Sequence, residues 1–150
     1  MPTGFVRLSL LLASALLLNA FSALSPDQTK QLKDAGGWDY LKMTDTGIQT
    51  QHDCFDGNLH PDTCSGRLIL SSDDKFTQEV TIAGQKVARR GTYTLEDDQL
   101  TFFDEFATRD GPYTIEIDLQ NKSLVMYTSA VRIELVLHKT LHDKKRKETK

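Results

Sequence analysis

Apolar and polar residues alternate one by one in several short segments of this chain, and this period of two constrains the fold more than any other feature. In the segment 76–82 the apolar-side set is Phe76, Gln78, Val80 and Ile82. The same alternation continues in residues 113–119 and 131–138. Successive side chains of a β-strand point to opposite faces, so these segments predict antiparallel strands with one face in the core and one in water.

Short connections separate most of the predicted strands, which number about nine after Gly36. Connections of this kind force each strand to pair with its neighbour in sequence, and a long meander of twisted strands closes on itself to remove its edges. We therefore predict an all-β fold, an antiparallel up-and-down β-barrel of about eight or nine strands. A sandwich with Greek-key crossings is the second choice, because it needs longer connections.

One short helix is predicted ahead of the strands. Ser25 is a good N-cap, Pro26 suits the first helical position, and Gln28 completes a capping box with Ser25. Gly36 is expected to end the helix, because glycine is common just past a helical C-terminus. The chain therefore begins its folded part with a helix and continues with strands only.

The two ends of the chain differ in composition from its middle. Residues 8–18 form an apolar run behind a single charge, Arg7, which suits a signal peptide and falls short of the roughly 20 residues that a spanning helix needs. Small residues at Ala20 and Ser22 predict cleavage after Ser22, with a retained anchor helix as the alternative. We divide the chain into a signal peptide (1–22), a barrel domain (23–138) and a basic tail (139–150). The barrel domain carries 11 basic and 19 acidic residues, a net charge of −8.

The two cysteines of the chain predict a disulfide. Export places the protein in an oxidising compartment, either secreted or periplasmic, where a cysteine pair usually forms a bridge. Cys54 and Cys64 flank nine turn-rich residues, so the bridge would close one exposed loop. The alternative is a metal site that adds His52, Asp53 and His60 to the two cysteines. Zinc sites typically contain closely spaced cysteine pairs, which this chain lacks, so we predict no metal.

Three motifs follow one another in a recognisable order. Gly36 and Trp38 form a Gly-x-Trp at the first strand, residues 66–71 (GRLILS) open a later strand, and residues 91–100 (GTYTLEDDQL) carry a hairpin. Across residues 36–138 this order resembles the lipocalin superfamily in the broad sense, particularly the small secreted lipocalin-like (calycin-type) domains of bacteria. Avidin-like barrels and the small barrel inhibitors of secreted proteases are similar in size and also open with a tryptophan-bearing strand.

The resemblance implies a position for the tryptophan. In this family Trp38 would lie at the closed base of the barrel, covered by an arginine from the last strands, where a cation over an indole face is favourable. Arg132 is the candidate on the final strand. Its parity is opposite to that of the apolar residues of that strand, so Arg132 faces outward unless the strand contains a bulge.

An eight-stranded barrel is either filled by its own side chains or holds one small ligand. Polar tips within the inward stripes favour a pocket, because ligand sites are mostly apolar with a few placed polar groups. A packed core is the alternative for the same residues. The candidate ligand-binding residues are Trp38, Tyr40, Phe76, Gln78, Tyr93, Phe102 and Tyr113.

The sequence favours a binding protein and contains no recognisable catalytic motif, so we expect neither an enzyme nor a cofactor. The acidic runs 96–98 and 104–105 fall in predicted turns, where solvated carboxylates are the rule. The basic tail follows an export signal, so we expect no nucleic acid partner. Weak contact of the tail with anionic surfaces is one expectation. A solvated tail and contact with the acidic barrel are the alternatives.

Two functions from different classes follow. The first is an exported carrier or sensor that holds a small apolar or amphipathic molecule in the barrel. The second is a secreted protein-interaction module, similar to a protease inhibitor or an envelope-associated factor, with a filled barrel and no small ligand. The second would act through its N-terminal segment 23–35, its disulfide loop or exposed apolar residues such as Phe55, Leu59 and Phe106.

Overall fold

The structure is a computed structural model, and it describes residues 23–34, 36–47, 50–54, 64–82 and 84–138. The predicted signal peptide (1–22), the basic tail (139–150) and the loop residues Phe55 and Leu59 lie outside these ranges. The domain boundaries therefore stay predictions. Among the described residues, no helix has the length and apolar character that a membrane span requires.

The described part of the chain contains one helix followed by nine strands. The elements are α1 (Pro26–Leu32), β1 (Trp38–Asp45), β2 (Thr50–Asp53), β3 (Cys64–Leu70), β4 (Lys75–Ile82), β5 (Gln85–Glu96), β6 (Gln99–Asp104), β7 (Arg109–Asp118), β8 (Ser123–Tyr127) and β9 (Val131–Leu137).

The strands form a closed antiparallel barrel of eight. Each strand from β3 to β9 pairs with the next, and β1 pairs with β9 to close the sheet. On its other side β1 pairs first with β3, at Trp38 and Asp39, and then with the short strand β2, from Lys42 to Asp45. The prediction of an all-β up-and-down barrel with one short helix is confirmed, and this architecture is consistent with a calycin-like fold.

The helix lies across one end of the barrel, which we call the helix end. Gln28 Nε2 donates to the carbonyl oxygen of Ile117 at 3.0 Å, and Lys33 Nζ donates to Asp74 in the β3–β4 turn at 2.9 Å. The opposite end, which we call the far end, carries the β4–β5, β6–β7 and β8–β9 turns. The side chains that fill the barrel interior differ between its helix end and its far end.

The N-terminus of α1 is the one that the sequence predicts, whereas its C-terminus comes earlier. The Ser25 hydroxyl accepts from the Gln28 backbone N–H, and the Gln28 side chain accepts from the Ser25 backbone N–H. The helix ends at Leu32 rather than near Gly36, because the Asp34 carboxylate accepts from the Gly36 N–H at 2.7 Å and starts a turn. Gly37, at φ +74°, then directs the chain into β1.

The core consists of the inward stripes of the strands together with Leu32 of the helix. The predicted alternation of β4 and β9 is confirmed, since Phe76, Val80, Ile133 and Leu135 are all buried. The largest fully buried side chains are Trp38, Tyr40, Phe76, Leu32, Leu68, Leu70, Leu100, Leu124, Met126 and Leu135.

Strand β5 pairs with β4 along its first part and with β6 along its last part, and the pairing passes from one to the other at Gly91. Residues 85–92 pair with β4, whereas residues 91–96 pair with β6. A Cβ atom at Gly91 would overlap the carbonyl oxygen of Phe103, so the two backbones approach too closely there for any other residue. The first half of β5 therefore extends past β6 at the far end, and Arg89 projects from this extension.

Candidate binding site inside the barrel

Five polar side chains from four strands converge in the far half of the barrel interior, and we call them the inner polar cluster. Gln78 Nε2 donates to Tyr40 Oη at 2.5 Å. Arg89 Nη1 donates to one oxygen of Asp110 at 2.6 Å, and Tyr113 Oη donates to the other at 2.7 Å. Tyr40 also interacts electrostatically with Arg89 and Asp110, so the two hydrogen-bonded groups form one cluster.

The strand registers explain why these residues meet. Gln78 lies between the buried residues Phe76 and Val80 in the alternation of β4, so it projects inward. Its cross-strand partner on β5 is Arg89, which projects from the same face. On the other side of the cluster, Phe102 lies opposite Asp110. The β6–β7 pairing shifts between Leu100 and Phe102, which leaves Gly111 and Pro112 together opposite Thr101. This bulge changes the phase of β7 and places Asp110 on the inner face with Tyr113.

Aromatic rings separate the inner polar cluster from the helix end. The Phe76 and Phe102 ring centroids are 4.8 Å apart at an interplanar angle of 62°, and Phe102 meets Tyr113 at 6.0 Å and 65°. Both are edge-to-face arrangements, each worth about 0.5–1.5 kcal/mol beyond the buried area. The cluster thus lies on an apolar floor of aromatic rings.

Both tyrosines of the cluster keep their protons at neutral pH. Burial raises the pKa of Tyr40 to about 12, against the smaller opposing effect of the Gln78 hydrogen bond. The pKa of Tyr113 is also raised, first by burial and then by its hydrogen bond to the Asp110 carboxylate. The two phenols are therefore hydrogen-bonding groups and not bases.

The charged members of the cluster reach solvent, whereas its floor does not. The side chains of Arg89 and Asp110 are 26% and 32% exposed, while Phe76 and Phe102 are buried. Asp110 takes one of the five N–H donors of the Arg89 guanidinium, and no other described residue accepts from this side chain. Among the described residues, the other guanidinium donors of Arg89 therefore have no acceptor, and they lie beside an apolar surface.

The seven candidate residues from the sequence all lie on the inner side of the strands, but they separate into two groups. Tyr40, Gln78 and Tyr113 belong to the inner polar cluster, and Phe76 and Phe102 form its floor. Trp38 and Tyr93 lie towards the helix end and bond to the protein's own backbone. Trp38 Nε1 donates to the Leu32 carbonyl oxygen at 2.9 Å, and Tyr93 Oη donates to that of Ser71 at 2.8 Å.

Arg89 and Asp110 are not among the candidate residues predicted from the sequence, for different reasons. Counting back by twos from Tyr93 leads to Arg89, so the alternation carried a usable signal for this residue. The same count from Tyr113 misses Asp110, because the bulge at Gly111 and Pro112 changes the phase of β7.

The expectation that Arg132 covers Trp38 is wrong. The residue of β9 opposite Trp38 is Leu137, at the helix end, whereas Arg132 lies near the far end opposite Thr44. The β8–β9 pairing has no register shift, so strict alternation keeps Arg132 outside. There its Nε donates to Glu134 at 3.2 Å, and its guanidinium lies 6.0 Å from the Tyr127 ring centroid.

The predicted disulfide between Cys54 and Cys64 is confirmed, and both residues are buried. A bridge across a sequence separation of 10 contributes about 2–3 kcal/mol in the chain-entropy account. The bridge uses both thiols that the alternative metal site would need. Across the described ranges no three His, Cys, Asp or Glu residues form a group that could hold a metal ion.

A second polar cluster lies on the outside of the barrel at the helix end. Arg67 Nε donates to Asp39 Oδ1 at 2.8 Å, and His138 Nδ1 is 2.6 Å from Asp39 Oδ2. The Arg67 guanidinium also contacts His138 Nδ1 at 2.6 Å. Asp39 and Arg67 are cross-strand partners on β1 and β3, so this cluster ties the seam of the barrel to the residue that follows β9.

Comparisons with family models, with curated proteins and with solved structures found no match to this chain. The contacts inside and around the barrel therefore carry the functional argument.

Proposed function

We propose that this protein is an exported, lipocalin-like binding protein that holds a small amphipathic molecule in the far half of its barrel. The observation that carries this proposal is the inner polar cluster, where an ion pair that reaches solvent stands beside buried aromatic rings. Small-molecule sites combine an apolar lining with a few convergent polar groups in this way. The proposal does not include catalysis or a cofactor.

The cluster favours an amphipathic ligand over a purely apolar one. A ligand without polar atoms would cover Arg89 and Asp110 and remove their water without replacing its hydrogen bonds, which costs several kcal/mol for charged groups. A ligand with an acceptor group would accept from the guanidinium N–H groups of Arg89 that bond to no described residue. Its apolar part would then pack against Phe76 and Phe102.

The disulfide supports export, because such bridges persist in oxidising compartments. It fits the predicted signal peptide and a secreted or periplasmic location. In the same setting the basic tail would make weak contact with anionic surfaces, and no nucleic acid partner is proposed.

A fluorescence titration with anilinonaphthalene sulfonate tests the pocket, because this probe combines apolar rings with an anion. We expect one saturable site on the folded protein, and we expect Arg89→Gln to weaken binding about three- to tenfold. Arg90→Gln is the matched control, since Arg90 also pairs with a carboxylate, Glu105, but lies on the outer face. Equal affinities for all three proteins, or no saturable signal, would contradict the proposal.

A protein-interaction module is the second candidate, and Phe106 favours it. This residue is 83% exposed, at the tip of the β6–β7 turn. One oxygen of Asp104 accepts from the backbone N–H groups of Phe106 and Thr108, so the turn that presents the ring is fixed. Inhibition assays against secreted proteases, with Phe106→Ser as the comparison, distinguish this candidate. An inhibitor would lose potency with that substitution, whereas a carrier would keep its probe affinity.

A further inference from the structure

The hairpin of β4 and β5 leaves one strand edge open at the far end of the barrel, and we call it the open edge. Residues 85–92 of β5 pair with β4, whereas pairing with β6 begins at Gly91, which lies opposite Asp104. The β6–β7 turn bounds the open edge, because Arg90 in β5 and Glu105 in the turn form an ion pair at 3.2 Å. Residues 85–89 therefore have a strand neighbour on one side only, although closure of a barrel normally removes such edges.

Two residues of the open edge direct unpaired backbone groups outward. The Tyr93 N–H donates to the carbonyl oxygen of Asp74, on the β4 side, at 2.9 Å. Because the β4–β5 pairing has no register shift, every second residue counted back from Tyr93 also bonds to β4, and the residues between them face the other side. Lys86 and Ala88 thus each present an N–H and a C=O at the open edge, and no described residue bonds to these groups.

An exposed apolar side chain lies between these two residues. Val87 is 43% exposed, although Val80, its cross-strand partner on β4, is buried. Phe106, in the turn that bounds the open edge, is also exposed. Exposed apolar side chains beside a row of unpaired backbone groups indicate a surface that pairs with another strand.

The open edge fits a second copy of itself in one antiparallel register, with Val87 opposite Val87 and Lys86 opposite Ala88. Four hydrogen bonds then use all eight open backbone groups of the two strands. The two valines form a non-hydrogen-bonded pair, in which side chains come closest, and each lysine faces a small uncharged residue. A register centred on Ala88 is unfavourable, because it sets Lys86 opposite Arg90, where like charges meet beside the bounding turn.

We propose that this protein forms a two-fold symmetric dimer through the open edge of β5, with β4 and β5 of both copies in one continuous sheet. The same register places Gln85 of the second copy opposite Arg89, on the inner face of the strands. Its side-chain carbonyl can accept from the Arg89 guanidinium, so each copy contributes a residue to the other's barrel mouth. The contact is small, and we expect a Kd of about 0.1–1 mM. This inference does not depend on a ligand in the barrel interior.

Dilution of the ¹⁵N-labelled protein, expressed with its own N-terminal segment, tests the inference by NMR. Between about 1 mM and 20 μM we expect shifts at the amides of Lys86, Val87 and Ala88 that fit one monomer–dimer equilibrium. Hydrogen exchange at the Lys86 and Ala88 amides should be slower at the higher concentration. The Val87 amide already bonds to β4, so its exchange should change less. Sedimentation equilibrium over the same range measures the dimer directly.

Substitutions at the open edge separate strand pairing from other contacts. Ala88→Pro removes an N–H that β4 does not use, so the β4–β5 pairing should remain while the dimer weakens at least about tenfold. Ala88→Ser keeps that N–H and is the matched control, with a Kd within about threefold of the wild type. Val87→Lys sets two like charges opposite each other and should weaken the dimer about three- to tenfold. It leaves the backbone unchanged, so it tests the register even if the proline variant does not fold.

Three results would overturn the inference. The protein could stay monomeric up to about 1 mM, the dimer could form equally well in Ala88→Pro and in the wild type, or the concentration-dependent shifts could lie on another surface. None of these results changes the test of the barrel interior with the fluorescent probe, because that test is done on the monomer at low concentration.

Discussion

The helix end and the far end of the barrel solve the problem of buried polar groups in different ways. At the helix end, the polar tips of Trp38 and Tyr93 bond to backbone carbonyl oxygens, so the structure itself completes their hydrogen bonds. At the far end, Arg89, Asp110 and Tyr113 bond to one another and remain partly accessible. The comparison teaches that one barrel can satisfy its inner polar groups through the backbone at one end and through one another, in contact with solvent, at the other.

Removal of the helix-end anchor gives the largest expected effect on this comparison. Trp38→Ala should lower the free energy of unfolding by about 3–5 kcal/mol, because the side chain is completely buried and leaves a large cavity. Urea denaturation followed by circular dichroism measures it, since Trp38 is the only tryptophan. Phe106→Ala, at an exposed position of the far end, is the control and should stay within about 0.5 kcal/mol of the wild type. Similar losses for the two variants would refute the division between the ends.

High pH should weaken the far end through Tyr40. Its pKa in the folded protein is about 12 and the ordinary value is 10.0, so the unfolded chain loses this proton first as pH rises. The stabilisation is fully present below pH 10 and is lost between pH 10 and 12, by about 1.4 kcal/mol per pH unit. Urea denaturation at pH 9 and 11 measures the loss, which Tyr40→Phe should reduce by about 1.4 kcal/mol. An unchanged pH dependence in this variant would contradict the assignment.

Two tyrosine variants give the smallest expected effects and sharpen the comparison between the helix end and the far end. Tyr40→Phe and Tyr93→Phe each remove one hydroxyl from a hydrogen bond, so each should cost about 1 kcal/mol of stability. Urea denaturation measures that cost. Affinity for anilinonaphthalene sulfonate should change only in Tyr40→Phe, because Tyr93 lies towards the helix end. An equal loss of affinity in Tyr93→Phe would show that the two ends do not act separately.

The sequence predicts features that repeat locally, and it predicts less where distant segments meet. The alternation at Phe76 and Val80 is visible in the chain and sets the inward face of β4. The early end of α1 depends on the Asp34 side chain, which competes with the helix for the Gly36 N–H. The outer cluster of Asp39, Arg67 and His138 depends on a register between segments far apart in sequence, which no local pattern encodes.

The candidate site follows the same rule. The aromatic floor was predicted from alternation, and so were Tyr40, Gln78 and Tyr113. Asp110 was not, because one extra residue in β7 changes the phase of the strand just where Asp110 enters the interior. Strict alternation of inward and outward residues cannot reveal a β-bulge. Glycine followed by proline within a strand is, however, compatible with one.

The same bulge means that β7 can lose one residue without a change in which of its side chains face inward. Gly111 and Pro112 together oppose Thr101, so β7 contains one residue more than its ladder with β6 requires. A deletion of Pro112 would restore regular pairing and leave Asp110 opposite Phe102 and Tyr113 opposite Leu100. Loss of this one codon would therefore leave the same side chains of β7 facing the barrel interior.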